Sequence, residues 1–365
     1  MKIAILVNAF PPKWCGGMEL ALYSIAKNLA LRGHDIHVIT IWDEYLPKRS
    51  FQDGFHVHRV YKGKIKFFSM AFFLINIFFC LKSIQPNIVH VQQIWFGCIP
   101  AFFSKKLLKR PYIIYGRGSD IYHMSFFWRK MSKFILKNAA KVIVLTEDMK
   151  RELQKIYCGE ILIIPNGIEL DNYKNLQKQN FRVSENKIII FVGNLRPVKG
   201  LIYLIKAMEI IHAEMENAIL MIIGDGEDRK SLEEMVMKLH LEKVVIFIEK
   251  IPNKDIPKYL VQGDVFVLPT LSEGFPNVIL EAMAAGLPIV STNVNGLSEI
   301  IRNEENGYLV EPRNPQQLAD KLLQILKNPI QSKNFSNNNI EKVKKYSWKN
   351  VIKYLEDVYL KVLVG

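Results

Sequence analysis

The sequence predicts an α/β protein of two domains, each built on a doubly wound parallel sheet, and three observations carry that prediction. A chain of 365 residues, 49% hydrophobic, exceeds what one core usually serves and has apolar content for two. Short, continuously apolar runs alternate with segments of helical spacing, the pattern of strands covered on both faces by crossover helices. The polar stretch ELDNYKNLQKQNFRVSENK at 169–187 interrupts this alternation as a linker, and the alternation then restarts.

The first domain, residues 1–168, opens as strand KIAILVNAF, loop PPKWCGG, helix MELALYSIAKNLALRG and strand HDIHVIT, one βαβ unit. NIVHVQQ, YIIYG, KVIVLT and ILIIPN follow as further strands. In the second domain, 169–346, the strands are KIIIFVGNL, AILMIIGDG, VVIFIEK, DVFVLPT and PIVSTN, with helices such as SLEEMVMKLHL and PQQLADKLLQILKN between them. After the Asn-rich NFSNNN, a helix capped by Ser347 places Trp348, Val351, Ile352, Leu355, Val358, Tyr359 and Val362 on one stripe. This segment, 347–365, is expected to return to the first domain.

The net charge of +14 is unevenly placed: residues 1–170 hold 24 Lys and Arg against 11 Asp and Glu, residues 171–365 hold 25 against 24. The basic half is either a lysine-rich solvated surface or faces something anionic, such as a membrane, nucleic acid or a phosphorylated substrate. Cys15, Cys80, Cys98 and Cys158 lie far apart, without the spacing of a metal knuckle or a disulfide framework, and read as reduced thiols. Five consecutive apolar residues before Asn8 are too few for a signal-peptide core, so a cytoplasmic protein is expected. The run FFSMAFFLINIFFCL at 67–81, flanked by Lys66 and Lys82, is shorter than the ~20 residues a spanning helix needs. It reads as a buried helix or as one that dips into a bilayer interface beside basic residues.

Three strand-end clusters can carry chemistry. In SEGFPNVILEAMAAG, a loop leads from the strand DVFVLPT into a helix, at the sheet edge where ligands collect. Pro276 fixes the helix entry, Asn277, Val278 and Ile279 would present N–H donors, and Glu273 and Glu281 flank the turn as acceptors for paired sugar hydroxyls or as ordinary first-turn acids. In VGNLRPVKG, Arg196 and Lys199 stand three apart at a helix start, where both heads can converge on a diphosphate and stabilise it as a leaving group. In IIGDGED, Gly224 and Gly226 would let the backbone approach a base or phosphate. Neither IIGDGED nor GRGSDI completes a G-x-G-x-x-G fingerprint, because Arg229 and Ile121 take the third glycine's place, which argues against a nicotinamide dehydrogenase.

These motifs in this order resemble the retaining glycosyltransferases of family 4, the glycosyl transferases group 1. The resemblance covers nearly the whole chain: Gly16-Gly17, HVQQ, VIVLTEDMKREL, IIPNGIELDNY, VGNLRPVKG, IIGDGED and EGFPNVILEAMAAGLPIVST followed by NGYLVEP, with Glu273 and Glu281 as the E-x7-E pair. It implies the GT-B architecture, two facing Rossmann-like domains. It further implies that Arg196 and Lys199 bind the donor diphosphate, that Glu281 holds the ribose hydroxyls and that Glu273 faces the donor sugar. Backbone N–H groups from Phe275 to Ile279 would contact sugar and phosphate, and Gly16 and Gly17 would close over the donor phosphates. The family works without a cofactor or bound metal, and the chain has no Asp-x-Asp pair.

One segment departs from the family. Where a histidine is common in H-G-x-D, this chain has Arg117-Gly118-Ser119-Asp120, and an arginine stays charged and accepts no proton at neutral pH. Arg117 and Asp120 are therefore candidates for the acceptor or sugar side. The expected chemistry is front-face substitution, in which the departing diphosphate takes the acceptor's proton and no protein base is needed. The expected partners are a nucleoside-diphosphate sugar, a glycan or lipid-linked acceptor of cell-surface polysaccharide synthesis, and an anionic membrane face. A soluble small-molecule acceptor and a non-catalytic basic binding protein of the same fold are the alternatives. The basic residues form no recognised nucleic-acid module, so no specific nucleic acid is expected.

Overall fold

The structure is a computed structural model that describes residues 1–13, 16–62, 66–94, 97–122, 124–174, 176 and 186–364. The chain divides into two compact units. One runs from Met1 to Gly167 and takes in the segment from Trp348 onward, and the other is Ile168–Ser347.

The first unit holds eight strands: β1 (Lys2–Leu6), β2 (Asp35–Ile41), β3 (Arg49–Gln52), β4 (Phe55–Val60), β5 (Ile88–Gln92), β6 (Tyr112–Tyr115), β7 (Lys141–Val144) and β8 (Ile161–Ile163). Their order is β3-β4-β2-β1-β5-β6-β7-β8, parallel throughout except for β3 against β4. Helices α1 (Gly17–Leu31), α2 (Lys66–Ile84), α3 (Cys98–Leu108), α4 (Ser119–Tyr122), α5 (Phe126–Asn138) and α6 (Glu147–Gln154) connect them. Ile3, Ala4, Ile5 and Leu6 of β1 are fully buried, as a strand covered on both faces requires.

The β3–β4 hairpin goes beyond the strands expected from the sequence. Gln52 pairs with Phe55 across Asp53-Gly54, both at positive φ (46° and 82°), the conformation that a two-residue type I′ turn demands. Along α2, Phe73, Ile77 and Leu81 are buried, while Met70, Phe72, Ile75 and Phe79 are 48–58% exposed. The run at 67–81 is thus helical, and from Met70 to Leu81 it has one buried and one open apolar face.

The second unit holds β9 (Lys187–Val192), β10 (Ala218–Ile223), β11 (Val245–Ile248), β12 (Val265–Leu268), β13 (Ile289–Thr292) and β14 (Gly307–Val310), all parallel in the order β11-β10-β9-β12-β13-β14. Its helices are α7 (Leu201–Glu214), α8 (Arg229–Lys238), α9 (Ile256–Leu260), α10 (Asn277–Ala284), α11 (Leu297–Ile300), α12 (Pro315–Lys327) and α13 (Pro329–Val343). The strand order reverses between β9 and β12, which makes their carboxyl ends a topological switch point. Most of the linker expected at 169–187 lies outside the described residues.

Two helices start with the same device: Asn314 and Asn328 accept from the N–H of Gln317 and Gln331, each at 3.0 Å, with Pro315 and Pro329 as the first helical residues. The Asn-rich NFSNNN, expected between helices, is instead part of α13. Tertiary bonds override its composition: buried Asn339 donates to the carbonyls of Leu287 and Asn306, both at 2.8 Å, and accepts from Asn306 Nδ2 at 2.7 Å.

Helix α14 (Trp348–Val364) belongs to the first unit and packs on α1. Its stripe from Trp348 to Tyr359 is buried; Glu356 accepts from Arg32 Nε at 2.9 Å and bonds His34 at 2.7 Å, and the Tyr359 hydroxyl meets His90 Nδ1 at 2.6 Å. Trp348 lies so close over Gly167 that a Cβ there would come within 2.4 Å of the indole.

Candidate functional site

The expected site residues fall into two sets, one in each unit. In the second unit, Arg196, Lys199, Gly224, Gly226, Glu273, Phe275 to Ile279 and Glu281 all follow the carboxyl ends of β9, β10 and β12. In the first, Gly16 and Gly17 open α1 after β1, and Arg117 and Asp120 follow β6.

The loop after β9 turns back through a single 3₁₀ turn, Pro197–Lys199, before α7 begins. Arg196 caps that turn rather than the long helix, and Gly200 joins the two at φ 67°. Only glycine fits there, since a Cβ would lie 2.1 Å from the Pro269 carbonyl oxygen at the end of β12. Thr270 strengthens the junction: its one hydroxyl proton is shared between the carbonyl oxygens of Val198 and Ser272, each 3.0 Å away, and Leu271 N–H donates to Val198 O at 2.7 Å. The β9 and β12 loops are thereby locked side by side at the switch point.

That lock brings Lys199 and Glu273, 74 residues apart, into an ion pair with both side chains about one-fifth exposed. Asn295, at φ 47°, accepts from the Glu273 N–H at 3.3 Å and holds the carboxylate's backbone. Arg196 extends into solvent and its guanidinium has no ion pair among the described residues. The pairing of Lys199 with Glu273 and the roles of Thr270 and Asn295 were not foreseen from sequence; the Asn295-Gly296 dipeptide is the turn signal that marks the last of these.

Pro276 precedes α10 in extended conformation (φ −78°, ψ 106°). Of the three N–H groups expected as donors, that of Ile279 is already taken: it donates to the Pro276 carbonyl at 3.0 Å, because the helix starts with a tight turn. Phe275 is buried, its ring 6.4 Å from that of Tyr346. Glu281, one turn into α10, is partly buried, and burial pushes its carboxyl up to about 7. Its carboxylate has no hydrogen bond or ion pair among the described residues. Tyr173 lies near enough for the Glu281 charge to reinforce the effect of burial in raising its phenol. A half-buried carboxylate without a donor is poised to accept from a ligand's hydroxyls.

Gly224 and Gly226 lie where the loops after β9 and β10 meet. A Cβ on Gly224 (φ 144°) would lie 1.9 Å from Gly193 O, and one on Gly226 2.3 Å from Leu195 O. The two glycines let the β9 and β10 loops close on each other, with Leu195 N–H donating to Asp225 O and Asp228 N–H to Leu195 O, both at 3.0 Å. This packing holds the loop that carries Arg196.

In the first unit the Asp120 carboxylate accepts from three backbone N–H groups, those of Ile94 at 2.8 Å and of Arg117 and Gly118 at 2.9 Å, and so ties the β5 and β6 loops together. Burial raises its pKa against the lowering effect of those bonds. Arg117 is buried: Nε donates to Gln92 at 2.5 Å, Nη1 to Asn166 at 2.6 Å, and the guanidinium lies 4.0 Å from the Tyr115 ring centroid. Its partners are neutral amide oxygens and Nη2 has no hydrogen-bond partner among the described residues, so burial lowers its pKa. Gly16 is the N-terminal cap of α1, in extended backbone, and Trp14 and Cys15 before it lie outside the described residues.

Sequence profiles of two families match. That described as Glycosyltransferase Family 4 covers residues 15–172, and that described as Glycosyl transferases group 1 covers 172–342. An uncharacterised glycosyltransferase of Methanocaldococcus jannaschii is 31% identical over 98% of both chains. Among solved structures, the sucrose-phosphate synthase of Thermosynechococcus elongatus superimposes with a TM-score of 0.87 at 20% identity over 99% of both chains. An Anabaena protein solved in complex with UDP-glucose gives 0.81 at 20% identity, over 99% of this chain and all of that one. These likenesses show the fold, GT-B, expected from the sequence.

Proposed function

Because the chain belongs to the family 4 glycosyltransferases, we propose that it moves a hexosyl group from a nucleoside-diphosphate sugar to a hydroxyl of a glycan or lipid-linked acceptor, with retention at the anomeric carbon. One observation carries the reading: the loops of β9 and β12 are locked at the switch point of the second sheet and carry Arg196, Lys199 and Glu273, with Glu281 one turn into the helix that follows. Cations suit a diphosphate and carboxylates suit vicinal hydroxyls, and a nucleoside-diphosphate sugar carries both. The Anabaena neighbour's complex with UDP-glucose supports this donor class.

In the proposed reaction Glu281 accepts from the ribose hydroxyls, which provide the donors that its carboxylate lacks. Arg196 and Lys199 bind the diphosphate and stabilise the charge that grows on it as the glycosidic C–O bond breaks. Glu273, now paired to Lys199, accepts from hydroxyls of the donor sugar once the diphosphate competes for the ammonium. The acceptor oxygen attacks from the face that the diphosphate leaves, and its proton passes to the departing phosphate oxygen, so charge and protons balance without a protein base. The two cations neutralise the leaving group where other transferases use a divalent ion. We place the acceptor on the first unit, in the service of cell-surface polysaccharide synthesis at the inner membrane face. The test is turnover with a panel of UDP-, GDP- and ADP-sugars on lipid-linked and soluble acceptors. Product of inverted configuration would overturn the mechanism.

A further inference from the structure

We propose that the surface formed by α2, α3 and α5 in the first unit is the face with which the protein docks on an anionic lipid bilayer. The proposal goes beyond sugar transfer and does not depend on it. Its first ground is an open apolar face: Ile75 and Phe79 on α2, Phe103 and Leu107 on α3, and Phe134 on α5 are 47–65% exposed. Each pair stands four apart, so on its helix it shares one side. The helices are joined beneath this face, α3 packing on both α2 and α5, with the Phe102 and Phe134 rings 5.1 Å apart and Lys105 donating to the Asn138 carbonyl at 2.6 Å. Between α2 and α3 runs a groove of about 390 Å³ whose lining side chains, Leu74, Phe78 and Ile99 among them, are all apolar.

The second ground is charge. From Gly54 to Thr146 the chain carries fifteen Lys and Arg and a single acidic residue, Asp120, which is fully buried. Lys106 and Lys109 flank the apolar pair of α3, and Lys130, Lys133 and Lys137 lie on the same side of α5 as Phe134, all five exposed. Long cationic stems beside exposed aromatic rings are the arrangement that lets a surface sink its apolar part below the headgroups while ammonium groups meet lipid phosphates. No described helix is long and apolar enough to cross a membrane, so contact is peripheral. A second copy of the chain is a poor occupant, since a two-fold interface would set this basic surface against itself.

Co-sedimentation of the full chain with vesicles tests the idea. Vesicles of phosphatidylglycerol and phosphatidylcholine should carry the protein down, vesicles of phosphatidylcholine alone should not, and high salt should release it. Lys130→Glu with Lys133→Glu should weaken binding roughly 25-fold or more, at about fivefold for each cation lost near the surface. Ile75→Glu with Phe79→Glu should abolish binding, and Leu107→Glu on α3 repeats the test if that pair fails to fold. Thermal melts and nucleotide binding by the second unit report folding independently. Wild-type protein that ignores anionic vesicles, or folded variants that bind them as wild type does, would overturn the proposal. So would a solution dimer that the α2 variant splits without any change in vesicle binding.

Discussion

Replacing Lys199 with alanine separates a role in catalysis from a role in stability. The ammonium is paired with Glu273, and both side chains are about one-fifth exposed, 20% and 19%. The pair therefore lies between an exposed ion pair, worth ~0–1 kcal/mol, and a buried one, whose disruption costs ~3–5 kcal/mol. A loss of about 1–2 kcal/mol follows, or roughly 2–8 °C in Tm for a unit of this size. The catalytic effect is larger: removing one preorganised group that stabilises transition-state charge costs ~10²–10³ in kcat. The variant also leaves Glu273 facing the diphosphate without a neutralising partner, so donor affinity should fall as well. Initial-rate assays of nucleotide release, with the donor that supports turnover, measure both effects. Lys206→Ala, a change at an exposed cation on α7, serves as the control and should behave as wild type. Glu273→Gln keeps the ammonium and should bind nucleotide at least as well as wild type while losing transfer. A folded Lys199→Ala protein with wild-type turnover would refute the assignment.

Three further outcomes follow from the structure. Glu281 takes its proton near 7 when folded, against an ordinary value of 4.5, so its contribution to stability is present below about 4.5 and lost as pH rises through about 7. Melts of ligand-free Glu281→Gln should therefore gain on wild type across that window, and a constant difference would contradict the shift. Arg117→His should destabilise the first unit by about 1–3 kcal/mol in urea unfolding, because Gln92 and Asn166 lose their buried donor; an unchanged midpoint would show that the network is not structural. Transfer should survive EDTA, since Arg196 and Lys199 supply the charge, and a loss reversed by Mg²⁺ would contradict that assignment.

The doubly wound pattern was legible because a parallel strand covered on both faces reads as a near-continuous apolar run, as IIIFV of β9 and AILMII of β10 do. The β3–β4 hairpin was hidden by its own alternation: exposed His56 and half-buried His58 alternate with buried Phe55, Val57 and Arg59, and the Asp53-Gly54 turn was its one clear signal. Asn-rich α13 shows the opposite failure, in which buried amide bonds to Leu287 and Asn306 outweigh a composition that favours loops. In the candidate site, residue types were readable from strand ends, but their partners were not. That Lys199 meets Glu273 and that Gly224 makes room for Gly193 are consequences of how loops far apart in sequence pack together, and that Ile279 N–H is used by Pro276 follows from the tight start of α10.

The central claim is that the β9 and β12 loops of the second unit form a nucleoside-diphosphate site. Calorimetric titration with UDP, GDP and ADP tests it most directly. One of the three should bind wild-type protein, and Glu281→Ala should weaken that nucleotide by ~10-fold or more, since a hydrogen bond to a charged group is worth about 1.5–3 kcal/mol. Absence of binding by all three nucleotides, or equal binding by folded Glu281→Ala, would contradict it.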